Sequence, residues 1–272
     1  MKNTTLTAVL TLLLAAATAT AGGPVFKYCD PLFGSTLCTP IALVFEFEEA
    51  NDTTRYDSAH GVSALEPDGY NVGTRVGKLG SYAADFTGNE NSNFRLPGIG
   101  SLGPKFWTLT AWVYPDVLGA SGQVQTLLAS DYKATAGTHV YLENVGGSLK
   151  LKVSVTQAEM GTVLTATSGT NLTVGAWNFI AVGASQWPTQ YGQANLFAQV
   201  GNSTKGNTTL TFNVRAPQFE TYLGARVMQP SGSRTPFDGG MDALYLFSDA
   251  LNAAQLTNLY NSGSGKVFPF VD

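Results

Sequence analysis

Short segments in which every second residue is apolar recur along the chain. In one of them, Leu149, Leu151, Val153 and Val155 alternate with two lysines and a serine, and a second such run ends at Val214. Side chains of a β-strand point alternately to its two faces, so this period of two predicts strands with one buried face. Similar segments predict seven further strands: Leu43–Phe47, Thr108–Tyr114, Thr138–Glu143, Trp177–Gly183, Ala194–Val200, Tyr222–Gly224 and Ala243–Phe247.

Turn-forming residues separate these strands and limit the architecture. The chain holds 30 glycines and 12 prolines, spread along its length rather than pooled. Helical patterns do not alternate with the strands, which argues against a parallel sheet built from strand–helix–strand units. The chain is therefore predicted to be all-β, with two antiparallel sheets packed face to face in one domain without internal repeats.

One short helix is predicted near the C-terminus. Asn252 can cap the first free N–H groups, Gln255 can reach back to complete a capping box, and Gly263 offers a left-handed stop. The apolar residues between them fall on one face: Leu256, Leu259 and Tyr260. We expect this helix to pack against the sandwich.

Composition and charge exclude one class of partner. The chain has 272 residues, and 15 Lys and Arg against 19 Asp and Glu give a formal net charge of -4. Charged residues make up 12% of the chain, about half of the ~25% found in ordinary soluble proteins. Mild acidity offers no electrostatic footprint for DNA or RNA, so no nucleic-acid partner is expected.

The first 21 residues have the pattern of a secretory signal peptide. Lys2 gives a positive start, Ala8–Ala17 is almost wholly apolar, and Ala19-Thr20-Ala21 is a cleavage signature of small residues. A membrane anchor is the alternative, but it needs about 20 apolar residues, more than this run or any later one supplies. We therefore expect a secreted protein, located outside the cell or in a cell wall or matrix, with no membrane span.

Cysteines and glycosylation motifs agree with a secretory route. Cys29 and Cys38 are the only cysteines, and in an oxidising compartment they most simply form one disulfide that pins the N-terminal segment. A catalytic or metal-binding thiol is the alternative. Four sequons for N-linked glycosylation are each expected in a surface loop: Asn51, Asn171, Asn202 and Asn207.

Several ordered blocks of the sequence resemble the laminin-G-like, concanavalin A-like jelly-roll domains. The most specific block is Phe237–Leu251, which joins Phe-Asp-Gly, an Asp that opens a strand, an aromatic-rich strand and the start of the capped helix. The other blocks keep the family's order: Leu43–Glu48, Tyr56–Ser58, Tyr82–Gly88, Phe106–Pro115 and Trp177–Val182. The resemblance implies a jelly-roll sandwich of two curved antiparallel sheets.

The signal peptide, the cysteines and the resemblance together predict a domain organisation. A signal peptide (1–21) is followed by an N-terminal segment with the disulfide (22–39), the jelly-roll domain (40–265) and a C-terminal tail (266–272). The fold alone implies little about chemistry, because it hosts lectins, adhesion modules, glycoside hydrolases and passive spacers.

Glu46 and Glu48 are the candidates for glycoside hydrolysis, which needs two carboxylates about 5–10 Å apart. They stand two apart on a predicted strand and share one face. The glucanases of this superfamily carry a Glu-x-Asp-x-Glu motif, and the corresponding stretch here, Phe45–Glu49, lacks the central Asp. His60 and His139 are interpreted as a turn and a strand histidine, because no serine-hydrolase motif accompanies them. We therefore expect no enzymatic activity.

Asp242 is the first candidate metal ligand. It shares its predicted strand face with Leu244 and Leu246, so its carboxylate is expected to be partly buried and to need a partner. The family resemblance implies a structural Ca²⁺ held by Asp242 together with Glu48 and Asp57. The alternative is that Asp242 caps a loop through N–H bonds.

The segment between two predicted strands at residues 185–193 is the candidate ligand site. Trp187 and Tyr191 can stack on the apolar face of a sugar ring, while neighbouring amides bond its hydroxyls: Gln186, Gln190 and Gln193. The alternative is a hairpin whose Trp187 folds back over the sheet. The other three tryptophans lie in core strands of the family and are expected to pack: Trp107, Trp112 and Trp177.

These features predict a secreted binding module for a glycan or an extracellular protein, stabilised by Ca²⁺. A structural component of an extracellular matrix or cell wall is the second hypothesis, and a glycoside hydrolase is the third. The first hypothesis predicts that the protein is retained on a polysaccharide or a glycan array and that Trp187→Ala abolishes this binding.

Overall fold

The computed structural model describes residues 27–30, 34–49, 54–59, 63–65, 72–96, 107–130, 137–156, 162–186, 194–210, 221–226 and 235–270. The predicted signal peptide lies outside these residues. The strands are β1 Lys27–Asp30, β2 Gly34–Phe45, β3 Thr54–Tyr56, β4 Ser63–Leu65, β5 Gly73–Val76, β6 Tyr82–Thr87, β7 Phe94–Leu96, β8 Trp107–Pro115, β9 Val124–Ala129, β10 Thr138–Val145, β11 Ser148–Thr156, β12 Val163–Leu172, β13 Asn178–Gln186, β14 Ala194–Val200, β15 Gly206–Leu210, β16 Thr221–Leu223 and β17 Asp238–Phe247. The α-helix, α1, spans Ala253–Tyr260.

The strands form two antiparallel sheets. The nine-stranded sheet has the order β1-β2-β17-β8-β13-β14-β15, with β6 paired to β17 and β5 paired to β6. The eight-stranded sheet has the order β12-β11-β10-β9-β16-β7-β4-β3. These two sheets confirm the predicted all-β jelly-roll sandwich with one short C-terminal helix.

The core lies between the two sheets, and alternation along each strand builds it. Leu109 and Val113 of β8 belong to the core between the sheets, whereas Trp112 between them belongs to a second apolar cluster on the outward face. In β11, Leu151 and Val153 lie in the core, as the period of two predicts.

The outward face of the nine-stranded sheet is covered by α1 and the segment that follows it. Trp112 and Phe179 project from neighbouring strands towards Tyr260 of α1, with ring centroids 6.1 and 5.7 Å from the Tyr260 ring. Phe270 packs edge-on against Tyr245 at 5.1 Å. In the described part of the chain, the eight-stranded sheet has no such helix on its outward face.

The helix α1 has the predicted capping box but a different end. Asn252 Oδ1 accepts a hydrogen bond from Gln255 N at 2.8 Å, and Gln255 Oε1 accepts one from Asn252 N at 2.9 Å. The predicted stop at Gly263 was wrong, because Asn261 adopts the left-handed conformation at a φ of 47° and ends the helix there. No helix in the described residues is long and apolar enough to cross a membrane.

Strand ends differ from the predicted ones where the backbone leaves the β region. β2 ends at Phe45 rather than at Phe47, because Phe47 has a φ of 57°. β17 begins at Asp238, five residues before the predicted start at Ala243. The predicted run that ends at Val214 lies outside the described residues beyond the end of β15.

The two cysteines face each other in the first hairpin. The register of β1 and β2 places Cys29 directly opposite Cys38. Opposed residues of an antiparallel pair have Cα atoms about 4.5–5.5 Å apart, within the range of about 4.4–6.8 Å that a disulfide spans. The disulfide stays a prediction that this backbone register allows.

Candidate functional site

The outward face of the eight-stranded sheet carries a groove over strands β9 to β12. Its cavity volume is about 270 Å³. Its polar lining includes His139, Tyr141, Ser154, Thr156, Thr165 and Arg226. We call this feature the sheet groove.

Strand register explains why these side chains meet. Val140 belongs to the core, so its neighbours His139 and Tyr141 point outward. His139 lies opposite Ser154 across β10 and β11, and Ser154 lies opposite Thr165 across β11 and β12. Opposed residues project side by side from one face of a sheet. Three neighbouring strands therefore place their polar side chains in one row along the groove.

His139 is a buried, neutral member of this row. Its Nε2 lies 2.9 Å from Thr126 Oγ1, which in turn lies 2.6 Å from Thr235 Oγ1. Its ring stacks on Tyr141 with centroids 4.4 Å apart and planes at 21°. Burial, together with the positive charge of Arg226, lowers the pKa of His139 well below its ordinary value of 6.5. The imidazole is therefore uncharged at neutral pH and acts as a hydrogen-bonding ring.

A chain of hydroxyl groups runs beside the stacked rings. Tyr141 Oη lies 3.2 Å from Ser154 Oγ, and Ser154 Oγ lies 2.7 Å from Thr165 Oγ1. Each hydroxyl has one donor hydrogen and two acceptor lone pairs. The chain therefore retains acceptor positions that the hydroxyl groups of a ligand can use.

An ion pair lies beside the stacked rings. Lys152 Nζ lies 2.7 Å from Glu143 Oε2, and the two side chains are 18% and 23% exposed. Lys152 lies opposite Tyr141 in the register of β10 and β11. Of the described residues that line the groove, Glu143 alone is acidic.

This arrangement suits a saccharide. A sugar ring offers an apolar face of C–H groups that packs on aromatic rings, and hydroxyls that need hydrogen-bonding partners. The Tyr141 ring is partly exposed and stacks on the buried His139, so it provides apolar surface, and the hydroxyl chain provides partners. The volume of about 270 Å³ lies just below the ~300–1,000 Å³ typical of small-molecule pockets. The groove therefore fits a short segment of a saccharide.

The aromatic platform predicted from the sequence lies outside the described residues. Trp187, Tyr191, Gln190 and Gln193 belong to the stretch 187–193 that connects β13 to β14. The backbone of the fifth predicted ligand residue, Gln186, ends β13. Their role in binding stays a prediction.

The packing predicted for the other three tryptophans is confirmed by their positions in apolar clusters: Trp107, Trp112 and Trp177.

The prediction that Asp242 shares a strand face with Leu244 and Leu246 was wrong. Ala243 has a φ of 46°, and the register between β17 and β8 shifts at this point. This bulge leaves both leucines in the core, while Asp242 lies opposite Trp112 on the outward side. Its burial was predicted correctly, since the residue is only 1% exposed.

Two backbone N–H groups hold the buried Asp242 carboxylate. Its Oδ2 accepts hydrogen bonds from Lys78 N at 2.7 Å and Leu79 N at 2.8 Å, as in the predicted loop-capping alternative. Its Oδ1 is buried and accepts no hydrogen bond from the described residues by ordinary distance and angle limits. Burial raises the pKa of Asp242 to about 7, although these backbone bonds oppose the shift.

The other two predicted calcium ligands divide between two places. Glu48 reaches the same turn as Asp242, because its Oε2 accepts a hydrogen bond from Ser81 N at 2.9 Å. Asp57 Oδ1 instead accepts hydrogen bonds from Val44 N and Ala59 N at 2.9 and 3.0 Å. Within the described residues, no group of three or more His, Cys, Asp or Glu could hold a metal ion. Calcium binding stays a prediction, with two of its three proposed carboxylates near one turn.

Glu46 and Glu48 bond to separate parts of the chain. Glu46 Oε1 accepts a hydrogen bond from Phe268 N at 2.9 Å, and burial raises the pKa of Glu46. Glu48 instead bonds to the turn at Ser81. Neither residue lines the sheet groove, which lies on the other sheet.

Three of the four glycosylation sequons fall in the described residues. Asn171, Asn202 and Asn207 are exposed, and Asn51 lies outside the described residues. Asn171 belongs to β12 and Asn207 to β15, so the expectation of surface loops was wrong for these two. Glycosylation itself stays a prediction.

No pattern in the sequence pointed directly to the sheet groove. Lys150, Lys152 and Ser154 alternate with core residues, and such a pattern is typical of an ordinary solvent-facing side. The signal that could have found the groove is a row of Ser, Thr, His and Tyr at outward positions of three successive strands. This row becomes visible only when the three strands are known to be neighbours in the sheet.

Comparisons with known proteins agree with this fold. A family model described as the concanavalin A-like lectin/glucanases superfamily matches residues 87–257, well over half of the chain. No curated protein matches the sequence.

Solved structures of the same fold include binding domains. Domain 4 of AbnA, a GH43 extracellular arabinanase from Geobacillus stearothermophilus, in complex with arabinotriose, is 19% identical at a TM-score of 0.52, with 80% of this chain and 97% of that chain covered. The binding domain of botulinum neurotoxin serotype D/C is 10% identical at a TM-score of 0.56, and the match covers 82% of this chain and 52% of that chain. A structure of botulinum neurotoxin type C, whose cell entry depends on interaction with two ganglioside molecules, is 11% identical at a TM-score of 0.55. The match covers 82% of this chain and 51% of that chain. The chain thus spans about half the length of these toxin chains, and at such identities the similarity shows the fold alone.

Proposed function

Because the chain belongs to the concanavalin A-like lectin/glucanase superfamily, we propose that it is a non-catalytic module that binds a glycan in the sheet groove. The observation that carries the proposal is the pair of stacked rings, His139 and Tyr141, beside a chain of hydroxyls. They lie on the sheet face that α1 leaves uncovered. Rings and hydroxyls together match the apolar and polar sides of a sugar.

Two structures of the same fold support a saccharide as the ligand. The arabinanase domain is solved in complex with arabinotriose, and the type C neurotoxin depends on two ganglioside molecules. The arabinanase is an extracellular enzyme. The signal peptide predicted at residues 1–21 is consistent with the same location for this protein.

The charged residues of the groove favour binding of a glycan over its hydrolysis. Glycoside hydrolysis needs an acid and a second carboxylate about 5–10 Å apart. Among the described lining residues, Glu143 alone is acidic, and Lys152 holds it in an ion pair. We therefore propose that the bound glycan is released unchanged.

A glycan array tests the proposal, with the wild-type protein and two matched tyrosine variants. Tyr141→Ala removes a ring of the groove, whereas Tyr82→Ala removes an exposed tyrosine from the nine-stranded sheet. We expect the wild type and Tyr82→Ala to bind the same glycans and Tyr141→Ala to lose about tenfold in affinity, since a stacking contact of an aromatic ring is worth up to about 1.5 kcal/mol and about 1.4 kcal/mol corresponds to tenfold.

A third variant separates the groove from the platform predicted at residues 187–193. Loss of binding in Trp187→Ala with full binding in Tyr141→Ala would place the ligand on that platform and contradict the groove. An array on which the wild type binds no glycan would contradict the function.

A further inference from the structure

Charges divide unequally between the outward faces of the two sheets. The strands that surround the sheet groove, β7, β9 to β12 and β16, contain three basic residues, Arg95, Lys150 and Lys152, and one acidic residue, Glu143. Arg226 follows β16 and lines the groove. Four basic residues against one acidic residue give this face a net charge of +3 in its described part, although the whole chain has a formal charge of -4.

Alternation directs the strand charges away from the core. Arg95 stands between Phe94 and Leu96, which are both buried in the core. Lys150 and Lys152 alternate with core leucines in the same way. The positive side chains are half-buried rather than fully exposed, so solvent screens their charge less than it screens an exposed lysine.

Register places Arg95 in line with the groove. Arg95 lies opposite Tyr222, Tyr222 opposite Ala129, and Ala129 opposite His139. At about 4.8 Å between neighbouring strands, the backbones of Arg95 and His139 are roughly 14 Å apart. The positive face therefore extends beyond the groove and is long enough for an oligosaccharide.

The positive charge also reaches the inside of the groove. The ion pair of Lys152 and Glu143 balances one charge of each sign. Arg226 contributes to lowering the pKa of His139, so its field acts on the centre of the row of polar side chains. A ligand in the groove therefore meets a positive potential.

The outward face of the nine-stranded sheet has the opposite character. Arg75 donates hydrogen bonds of 3.0 and 3.1 Å to Asp116 and lies 3.3 Å from Asp85. Further carboxylates on this side are Asp238, Asp242, Glu46 and Glu48, and they remain in the majority over the basic residues there, which include Lys78, Lys205 and Lys266. Two faces of opposite charge steer an anion towards the groove and away from the other sheet.

We propose that the sheet groove selects an anionic glycan, one whose sugars carry carboxylate or sulfate groups. This inference rests on the proposed function and names the ligand class of the same site. The sugar rings pack on Tyr141, which the buried His139 supports from behind, while the anionic groups bind Arg226 within the groove and Arg95 and Lys150 beside it. A guanidinium matches the geometry of a carboxylate or sulfate with two parallel N–H donors.

The test compares a tetrasaccharide of galacturonic acid with its fully methyl-esterified form. The two probes share their sugars and linkages and differ in whether each carboxyl group is ionised or methyl-esterified, so the part of their affinity ratio that depends on salt reports the electrostatic contribution. By calorimetry at low salt we expect the acid to bind at least about tenfold more tightly, because a hydrogen bond to a charged group is worth about that factor. The advantage should shrink as NaCl is raised, since salt screens charges.

Matched variants locate the effect. Arg226→Gln and Lys150→Gln should weaken binding of the acid more than binding of the ester, so the affinity ratio of the two probes should fall towards one. Lys266→Gln, on the segment over the nine-stranded sheet, should change neither. A chondroitin sulfate tetrasaccharide and the same tetrasaccharide without sulfate identify the anionic group: tighter binding of the sulfated form supports sulfate, and equal binding of the two supports carboxylate.

The outcomes separate this inference from the function. Equal affinity for acid and ester, or no effect of Arg226→Gln on the acid, would overturn the anionic class while leaving a glycan module. Equal affinity for the acid and for a short single-stranded DNA would also overturn it, because the face would then bind any polyanion. If the array shows no glycan at all, the function itself fails.

Discussion

Asp242→Asn tests how the bulged strand β17 holds its buried carboxylate. Burial raises the pKa of Asp242 from 3.8 to about 7 in the folded protein. The folded state therefore binds a proton more tightly than the unfolded state. Protonation stabilises the fold, and this contribution is fully present below a pH of about 4 and lost as the pH rises through about 7.

The size of the effect follows from the shift. One pKa unit corresponds to about 1.36 kcal/mol, so raising the pH from 5 to 8 should cost the wild type roughly 2–3 kcal/mol at this residue. Asparagine resembles the protonated acid, and its Oδ1 can accept the hydrogen bonds from Lys78 N and Leu79 N. The variant should therefore lose this pH dependence and at pH 8 be at least as stable as the wild type.

Urea unfolding between pH 5 and 8, in EDTA, measures the free energy of unfolding of both proteins. Other carboxyls with raised pKa contribute equally to both, so the difference between the two curves isolates Asp242. Asp249→Asn, a change at an exposed carboxyl, is the control and should follow the wild type. A variant curve parallel to that of the wild type would refute the reasoning.

Four further predictions follow from the fold and its charges. Because the pKa of buried His139 is lowered, its neutral form stabilises the fold above pH 6.5, and this contribution is lost as the pH falls below that value. Urea unfolding should therefore show that His139→Gln gains stability relative to the wild type from pH 7 to pH 5. A difference in stability that stays constant with pH would contradict this. Leu259→Ala removes a buried side chain of α1 and should lower the free energy of unfolding by about 2–4 kcal/mol, whereas a loss under about 0.5 kcal/mol would mean that α1 is not docked. Gly183→Ala would force a Cβ into the backbone oxygen of Trp107, so we expect destabilisation by about 2 kcal/mol or more, or insoluble protein on expression. Wild-type stability would exclude the close pairing of β13 with β8. If Ca²⁺ is bound as the family resemblance implies, replacing EDTA by calcium at pH 8 should raise the Tm of the wild type but not that of Asp242→Asn, and an unchanged wild-type Tm would contradict a calcium site.

Local pattern was enough to predict the strands and the start of α1. Alternation in β11 and the capping box at Asn252 depend on neighbouring residues only, and both were confirmed. The bulge at Ala243 could not be predicted, because its positive φ is imposed by pairing with β8, a strand distant in sequence. A strict period of two therefore assigned Asp242 to the wrong face.

The candidate site was harder to predict, because its residues come from separate strands. His139, Ser154 and Thr165 are unremarkable in sequence and become neighbours only through the register of β10 to β12. The net charge of -4 likewise concealed a positive face, because charges of opposite sign lie on opposite sheets. Neither the order of strands in a sheet nor the division of charge between faces can be obtained from local periodicity.

Hydrogen exchange with and without the glycan that binds best on the array tests most directly where the ligand lies. The outward face of the eight-stranded sheet is the proposed site, so peptides from β10, β11 and β12 should exchange more slowly in the complex. Peptides from α1 and β14 should be unchanged. Slower exchange confined to β13, β14 and the stretch between them, with β10 to β12 unaffected, would contradict binding in the sheet groove.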